Sequence, residues 1–346
     1  MKKPEHDLAA VAVPGVLAVF SNRPRIPNFP LVQRLKPVDQ IAADDLDVPL
    51  KVTYRVGAVP ETSQKLEGKV FRRIDNTLIQ ETPVGPFARL SVALHCDAAN
   101  PTIAVNPFYH SAGRLTVGNV HSCGWLVRDL CNIHLLSNRK TLLHAAGLKH
   151  GNRTALIIGL SNTGKTTTVV NLVQSRDAEY YGDDLVVTDG KYLFPCPHVA
   201  ANINPSHNTG AKYAFIQWAR RTIPFFENYG ADIPFSISDH LGYEHCATPA
   251  KVTDIIFLIR SEQPADRRVS NDEAAQLLLA SNRTEFTYAT SPVFCAAEYL
   301  GVGFNLTHLV DREAHLMGQL VRNSRCHLVA GGHEQFREAV LQALAL

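Results

Sequence analysis

The stretch "GLSNTGKTTT", residues 159–168, sets two glycines, a lysine and a threonine in the spacing G-x-x-x-x-G-K-[ST]. A loop that wraps phosphates needs that order. Glycines let the backbone turn tightly and aim its N–H groups inward, the lysine ammonium meets the β- and γ-phosphates, and the hydroxyl after it holds Mg²⁺. Gly159, Ser161, Asn162, Thr163, Gly164, Lys165, Thr166 and Thr167 are therefore the expected phosphate contacts, with Thr166 also a metal ligand. The flanks agree with this chemistry. "TALII" reads as a strand running into the loop, and "TTTVVNLV" as a helix leaving it.

Close behind Lys165 in sequence, "YYGDDLVV" sets Asp183 and Asp184 side by side. Adjacent carboxylates can divide labour, one holding metal and the other accepting the proton of an attacking hydroxyl. Alone, the pair would be a solvated turn with an aspartate cap; beside a phosphate loop it is a candidate site. His144 is the third candidate. A lone histidine on a strand is ordinarily a core or surface residue, and its interest here comes from the strand it occupies, expected to pair with the one feeding the loop.

The elements that must position these groups lie in the C-terminal part of the chain. "TLLHAAGLKHGNRTALIIG" (141–159) reads as two strands joined through Gly151-Asn152, the second running straight into the loop, and 165–175 as the following helix. Residues 183–197 predict a hairpin turning at Asp189-Gly190, and "VTDIIFLIR" (252–260) a buried strand. Residues 270–282 predict a helix opened by a capping box of Ser270 and Glu273. A last helix, 333–346, carries Phe336, Val340, Leu341 and Leu344 on one face. Upstream, 124–140 places Leu126, Leu130 and Ile133 at helical spacing, whereas 48–59 and 113–120 alternate apolar with polar residues as strands do. The expected organisation is α/β: a β-rich region over 1–120 with no chemical motif, then a nucleotide-binding domain over 121–346. The aromatic-rich stretch 213–243 reads either as core or as a lid.

Composition narrows the function classes. The 346-residue chain has a formal net charge of +2 and is 45% hydrophobic. Its densest basic runs are Arg220-Arg221 and Arg267-Arg268, far from the stripe that nucleic acid requires. No apolar run is long enough to span a bilayer. "LAAVAVPGVLAVF" after Lys2-Lys3 is interrupted by Pro14, preceded by Glu5 and Asp7, and reads as strand rather than signal peptide. Seven scattered cysteines without a C-x-x-C pair point to reduced thiols and a cytoplasmic protein.

The combination "LLHAAGLKHGNRTALIIGLSNTGKTTT…YYGDDLVV" resembles the core of HPr kinase/phosphorylase and ATP-dependent phosphoenolpyruvate carboxykinase. The loop is most similar to the carboxykinase form, and the "LLHAAG" lead-in to HPr kinase-like proteins. The resemblance runs through 142–187, with a looser likeness through "DIIFLIR" toward the C-terminus. It implies a P-loop core with a mixed sheet. It also implies that His144 sits beside the transferred phosphoryl group or a metal, and that Asp183 and Asp184 serve as base and metal ligand. Asn162 stands where that family usually has glycine. The E-x-R-G-x-G segment expected of an HPr kinase after the aspartate pair is replaced by "HVAANINPSHNTG" (198–210), so the resemblance does not carry over the acceptor.

The expectation is an ATP- and Mg²⁺-dependent kinase that transfers the γ-phosphoryl group to a hydroxyl acceptor, either a small molecule or a peptide or protein serine. Lys165, His144 and Asp183 would be catalytic, and Thr166 and Asp184 would hold the metal. The alternative is a regulatory or assembly ATPase with no acceptor, which would have little use for a second carboxylate. Arg260, at the end of "IIFLIR", reads as a phosphate clamp or a solvated strand end. Lys212, Arg220, Arg221, His198 and His207 have only position to recommend them, and "GVGFN" (301–305) reads as a turn. No nucleic-acid or membrane partner is expected, and a homo-oligomer stays open.

Overall fold

The computed structural model describes residues 8–32, 34–65, 67–86, 88–112, 122–160, 163–176, 178–196, 218, 222 and 248–346. Ser161, Asn162, residues 113–121 and 197–217, and all of 213–243 except Trp218 and Thr222 lie outside them. So do His198, His207, Lys212, Arg220 and Arg221. The fold is mixed α/β and divides into two compact units.

The first unit comprises the described residues of 8–134, with Trp218, Thr222 and 288–306. Its strands are β1 (Leu8–Val13), β2 (Leu17–Ser21), β3 (Lys36–Pro37), β4 (Leu50–Val56), β5 (Val70–Ile74), β6 (Thr77–Val84), β7 (Ala88–His95) and β8 (Thr102–Val105). They form one mixed sheet in the order β3-β1-β2-β4-β8-β7-β6-β5. The apolar segment at the start of the chain makes the β1–β2 hairpin, turning through Gly15 at φ +66°. Helix α1 (Ala43–Leu46) lies between β3 and β4, and α2 (Pro107–Ala112) and α3 (Cys123–Ser137) follow β8; Leu126, Leu130 and Ile133 of α3 are buried as their spacing predicts. The fully buried Glu81 is matched by Arg72 at 2.6 Å and Arg89 at 3.1 Å, a structural pairing inside the sheet.

The second unit comprises described residues 135–196, 248–287 and 307–346. Its strands are β9 (Thr141–Leu143), β10 (Ala145–His150), β11 (Arg153–Ile158), β12 (Glu179–Gly182), β13 (Val186–Thr188), β14 (Tyr192–Phe194), β15 (Ala250–Lys251), β16 (Asp254–Arg260), β17 (Ala265–Arg268) and β18 (Arg325–Gly331). Its helices are α4 (Lys165–Arg176), α5 (Asn271–Glu285), α7 (Leu306–Arg322) and α8 (His333–Leu344), while α6 (Pro292–Tyr299) belongs to the first unit. A six-stranded sheet runs β12-β10-β11-β16-β18-β17, with β11, β16 and β18 parallel; a four-stranded sheet runs β15-β14-β13-β9.

Parallel strands buried on both faces read as continuous apolar runs, and "TALII" and "DIIFL" do. Ala155, Ile157, Ile256 and Leu258 pack under Val169, Leu172 and Val173 of α4 and Phe336, Val340 and Leu344 of α8. Leu156, Ile158, Ile255 and Phe257 face the other way, onto Ala274 and Leu278 of α5 and Met317, Leu320 and Val321 of α7. The centre of the sheet is thereby fixed at β11 and β16, whose C-terminal ends both open toward one edge of the unit. The expected hairpins are present: β10–β11 turns at Gly151 (φ +55°), and β13–β14 at Gly190 (φ +88°).

Two local expectations need correction. Helix α5 continues past 282 to Glu285, and its capping box is half formed. The Ser270 hydroxyl accepts from Glu273 N–H, whereas the Glu273 carboxylate pairs with Arg267 at 2.5 Å, a stronger, charge-assisted partner than a backbone N–H. His144 also stands apart from either strand, at the single-residue break between β9 and β10, where the chain passes from the four-stranded to the six-stranded sheet.

Candidate functional site

The glycine loop leaves the C-terminal end of β11, the central parallel strand, and α4 begins at Lys165. Open α/β sheets bind ligands at this end of their strands, where a helix N-terminus presents unpaired N–H groups. Thr163 closes a turn with its N–H on Leu160 O at 3.2 Å, and its hydroxyl donates to the same oxygen. Gly164 has φ +112°, a region that side-chain-bearing residues rarely adopt. A Cβ there would also stand 2.5 Å from Cε1 of His333. The backbone conformation calls for glycine here, and an added Cβ would in addition displace the His333 ring.

Lys165 is almost wholly buried. Its Nζ donates to Gly159 O at 2.5 Å and Leu160 O at 3.3 Å, and lies 3.0 Å from Nε2 of His144. Burial depresses the pKa of the ammonium, and Asp184, Asp183 and Glu285 act against that fall. His144 is buried too. Its backbone N–H donates to Oδ1 of Asn282 at 2.9 Å, and its Nδ1 lies 3.7 Å from Oε2 of Glu285.

Asp183 and Asp184 occupy the bend after β12, beside β10. Asp184 adopts φ +65°, a left-handed conformation that aspartate tolerates better than most residues. Asp183 is fully buried, and neither carboxylate oxygen has a hydrogen-bond partner among the described residues. Burial and then the neighbouring Asp184 push its carboxyl up to about 7. The Thr166 hydroxyl and the Lys165 ammonium act in the opposite sense, the hydroxyl without reaching the geometry of a full hydrogen bond. Asp184 is raised by burial and held down by Lys165. These mutual effects place Lys165, Thr166, Asp183 and Asp184 in one electrostatic neighbourhood.

No family model matches this chain, and no curated protein does. Of the site residues read from sequence, the fold gathers Gly159, Thr163, Gly164, Lys165, Thr166, His144, Asp183 and Asp184 at one end of the sheet. Thr167 points outward on α4 and is exposed. Arg260 is an exposed residue at the end of β16, as one of its two readings has it, and it is also engaged. Its Nε donates to Thr163 O at 2.9 Å and its Nη2 to Nε2 of His333 at 2.7 Å, which ties the loop to the end of β16.

Asn282, Glu285 and His333 were not legible as site residues. Each is a polar residue at a helix end, where polar residues are ordinary, and each meets the site through a contact more than a hundred positions away in sequence. Among the described residues no group of three or more His, Cys, Asp or Glu is gathered to hold a metal, and no helix is long and apolar enough to cross a membrane.

Proposed function

We propose that this protein is an ATP- and Mg²⁺-dependent kinase of the HPr kinase-like type, transferring the γ-phosphoryl group to a hydroxyl acceptor. The observation that carries the reading is the buried Asp183 carboxylate. Without a hydrogen-bond partner among the described residues, it shares a neighbourhood with the Lys165 ammonium at the mouth of a glycine loop. A buried carboxylate without a full hydrogen bond is costly and is kept where chemistry uses it.

The loop backbone and the N-terminus of α4 would cradle the phosphates, and Lys165 would turn from Gly159 O toward the β- and γ-oxygens. Asp183, whose carboxyl titrates near neutrality, suits the task of taking the proton of an attacking hydroxyl. His144, in contact with Lys165, would keep that ammonium and the transferred group aligned. The partnerless Asp183 oxygens and the raised Asp184 carboxyl fit a site completed by a cation. Asp184 and the Thr166 hydroxyl would hold Mg²⁺, with the substrate phosphates supplying the remaining oxygens. Bound there, the ion neutralises phosphate charge. Catalysis of this type is mostly positioning and electrostatics, so these few residues suffice.

The test is calorimetric titration of Mg-ATP into the parent and Lys165→Ala, followed by a screen of small hydroxyl compounds and serine peptides with γ-labelled ATP. The expected result is binding and label transfer by the parent, with affinity weakened and transfer abolished in Lys165→Ala. Equal affinity in both would show that the loop is not the nucleotide site. Binding with hydrolysis but transfer to no acceptor would favour the regulatory ATPase.

A further inference from the structure

Helix α5 ends in a turn that addresses one residue. Asn282 and Glu285, three positions apart, share a helix face, and both meet His144. Asn282 is buried and fully engaged. Its Oδ1 accepts the His144 backbone N–H at 2.9 Å, while its Nδ2 donates to Leu142 O at 2.8 Å and to the buried Glu313 at 3.1 Å. The backbone at the sheet break is therefore clamped. Glu285 acts on the ring: its Oε2 lies 3.7 Å from Nδ1, and on the opposite side Nε2 lies 3.0 Å from Lys165 Nζ.

A carboxylate only accepts hydrogen bonds and an ammonium only donates them. An imidazole placed between the two is best served in one neutral form, with the proton on Nδ1 toward the carboxylate and the lone pair on Nε2 toward the ammonium. At 3.7 Å a Glu285 oxygen would accept the Nδ1 proton through one bridging water, a task an amide oxygen serves as well as a carboxylate. We propose that Glu285 is a positioning residue that fixes this tautomer of His144, so that Nε2 accepts from Lys165 and steers its ammonium. His144 then acts on a bound phosphate through Lys165 and not by donating its own proton. The tautomer stands on the geometry alone; its effect on turnover rests on the phosphoryl-transfer reading.

The decisive measurement is the long-range ¹H–¹⁵N correlation spectrum of protein labelled at histidine, with His144 assigned by its loss in His144→Gln. Lys165→Met removes the ammonium and leaves Glu285 as the group that selects the tautomer, and the Nδ1–H form should persist. Adding Glu285→Ala should move His144 toward the Nε2–H form that free imidazole prefers in water, whereas Glu285→Gln, which keeps an acceptor oxygen, should not. Should the alanine double variant fail to fold, Glu285→Lys in the same background replaces acceptor by donor and should give Nε2–H. An Nε2–H ring in Lys165→Met, or a pattern indifferent to both replacements of Glu285, overturns the proposal.

With an acceptor in hand, Glu285→Ala should lower kcat at least about tenfold with little change in KM for ATP, and Glu285→Gln should restore most of the rate. A merely structural Glu285 would lower Tm and leave the spectrum unmoved. The spectra need neither nucleotide nor acceptor. If the parent transfers phosphate to nothing, the kinase reading falls while the tautomer is still decided.

Discussion

Nε2 of His144 lies 3.0 Å from Nζ of Lys165, a contact that joins the break between two sheets to the first residue of the loop helix. The same ammonium donates to Gly159 O and Leu160 O, so the loop supplies its own lysine with acceptors while the surroundings withhold water. A buried ammonium held this way is desolvated in advance, and phosphate oxygens have only to outcompete two carbonyls and an imidazole. Pre-organised charge of this kind is worth more at a developing negative charge than a hydrated side chain would be.

His144→Ala is expected to lower the rate of phosphoryl transfer by at least about tenfold, or about 1.4 kcal/mol of transition-state stabilisation. The bond that clamps this position to Asn282 comes from the backbone N–H, which alanine keeps, so Tm should change little. The check is transfer to an acceptor found by screening, or ATP hydrolysis, alongside thermal melts. Full activity with a lowered Tm would return His144 to the core.

The local parts of this site were legible and the long-range parts were not. A strand, a glycine loop and a helix in immediate succession form a short-range pattern from which Lys165 and Thr166 follow, and the Asp189-Gly190 turn is as local a signal. The break at His144 leaves no such mark, because "TLLHAAGL" is uniformly apolar around it and nothing local says that β9 and β10 join different sheets. Glu285 and Asn282 close a helix whose end the sequence places three residues early, where polar side chains ordinarily face water. Arg260 shows the same limit: strand and position were readable, but its grip on Thr163 and His333 depends on α8 packing beside α4.

The two aspartates should separate by function. Asp184→Asn is expected to shift the Mg²⁺ dependence of ATP binding to higher concentration. Asp183→Asn should still bind Mg-ATP and lose transfer, since an amide cannot take the hydroxyl proton. Titration calorimetry across a Mg²⁺ series, paired with a transfer assay, checks both. Equal loss of metal dependence in the two variants would make the pair a joint metal site.

Gly164→Ala combines a disfavoured φ of +112° with a Cβ set 2.5 Å from the His333 ring. Its destabilisation should be at least about 1 kcal/mol, with weakened ATP binding because the ring and Arg260 brace the loop at that point. Adding His333→Ala should relieve the clash and recover only part of the Tm, as the backbone strain persists. Full recovery in the double variant would assign the whole effect to the ring.

Asp183 gives the chain a pH dependence whose sign follows from its burial. The folded carboxyl titrates near 7, above its ordinary 3.8, raised by burial and by Asp184. Between those values the folded chain holds a proton that the unfolded chain releases, so stability falls as pH rises. The contribution is fully present below about 3.8 and is lost as pH climbs through about 7. Asp183→Asn is neutral throughout and should remove this component, while the dependence from Asp184, of the same sign, remains. With chelator and without nucleotide, the variant should be more stable than the parent at pH 8 by at least about 1.4 kcal/mol, roughly 2 °C in Tm for a chain of this length. The gap should narrow as the pH is lowered through 7 and close only below about 3.8, where the carboxyl is protonated in the folded and the unfolded chain alike. Denaturant melts of both proteins across this range decide the matter. Parallel curves would mean that the Asp183 carboxylate is ionised and compensated in the folded chain, which would also remove it as a base that titrates near neutrality.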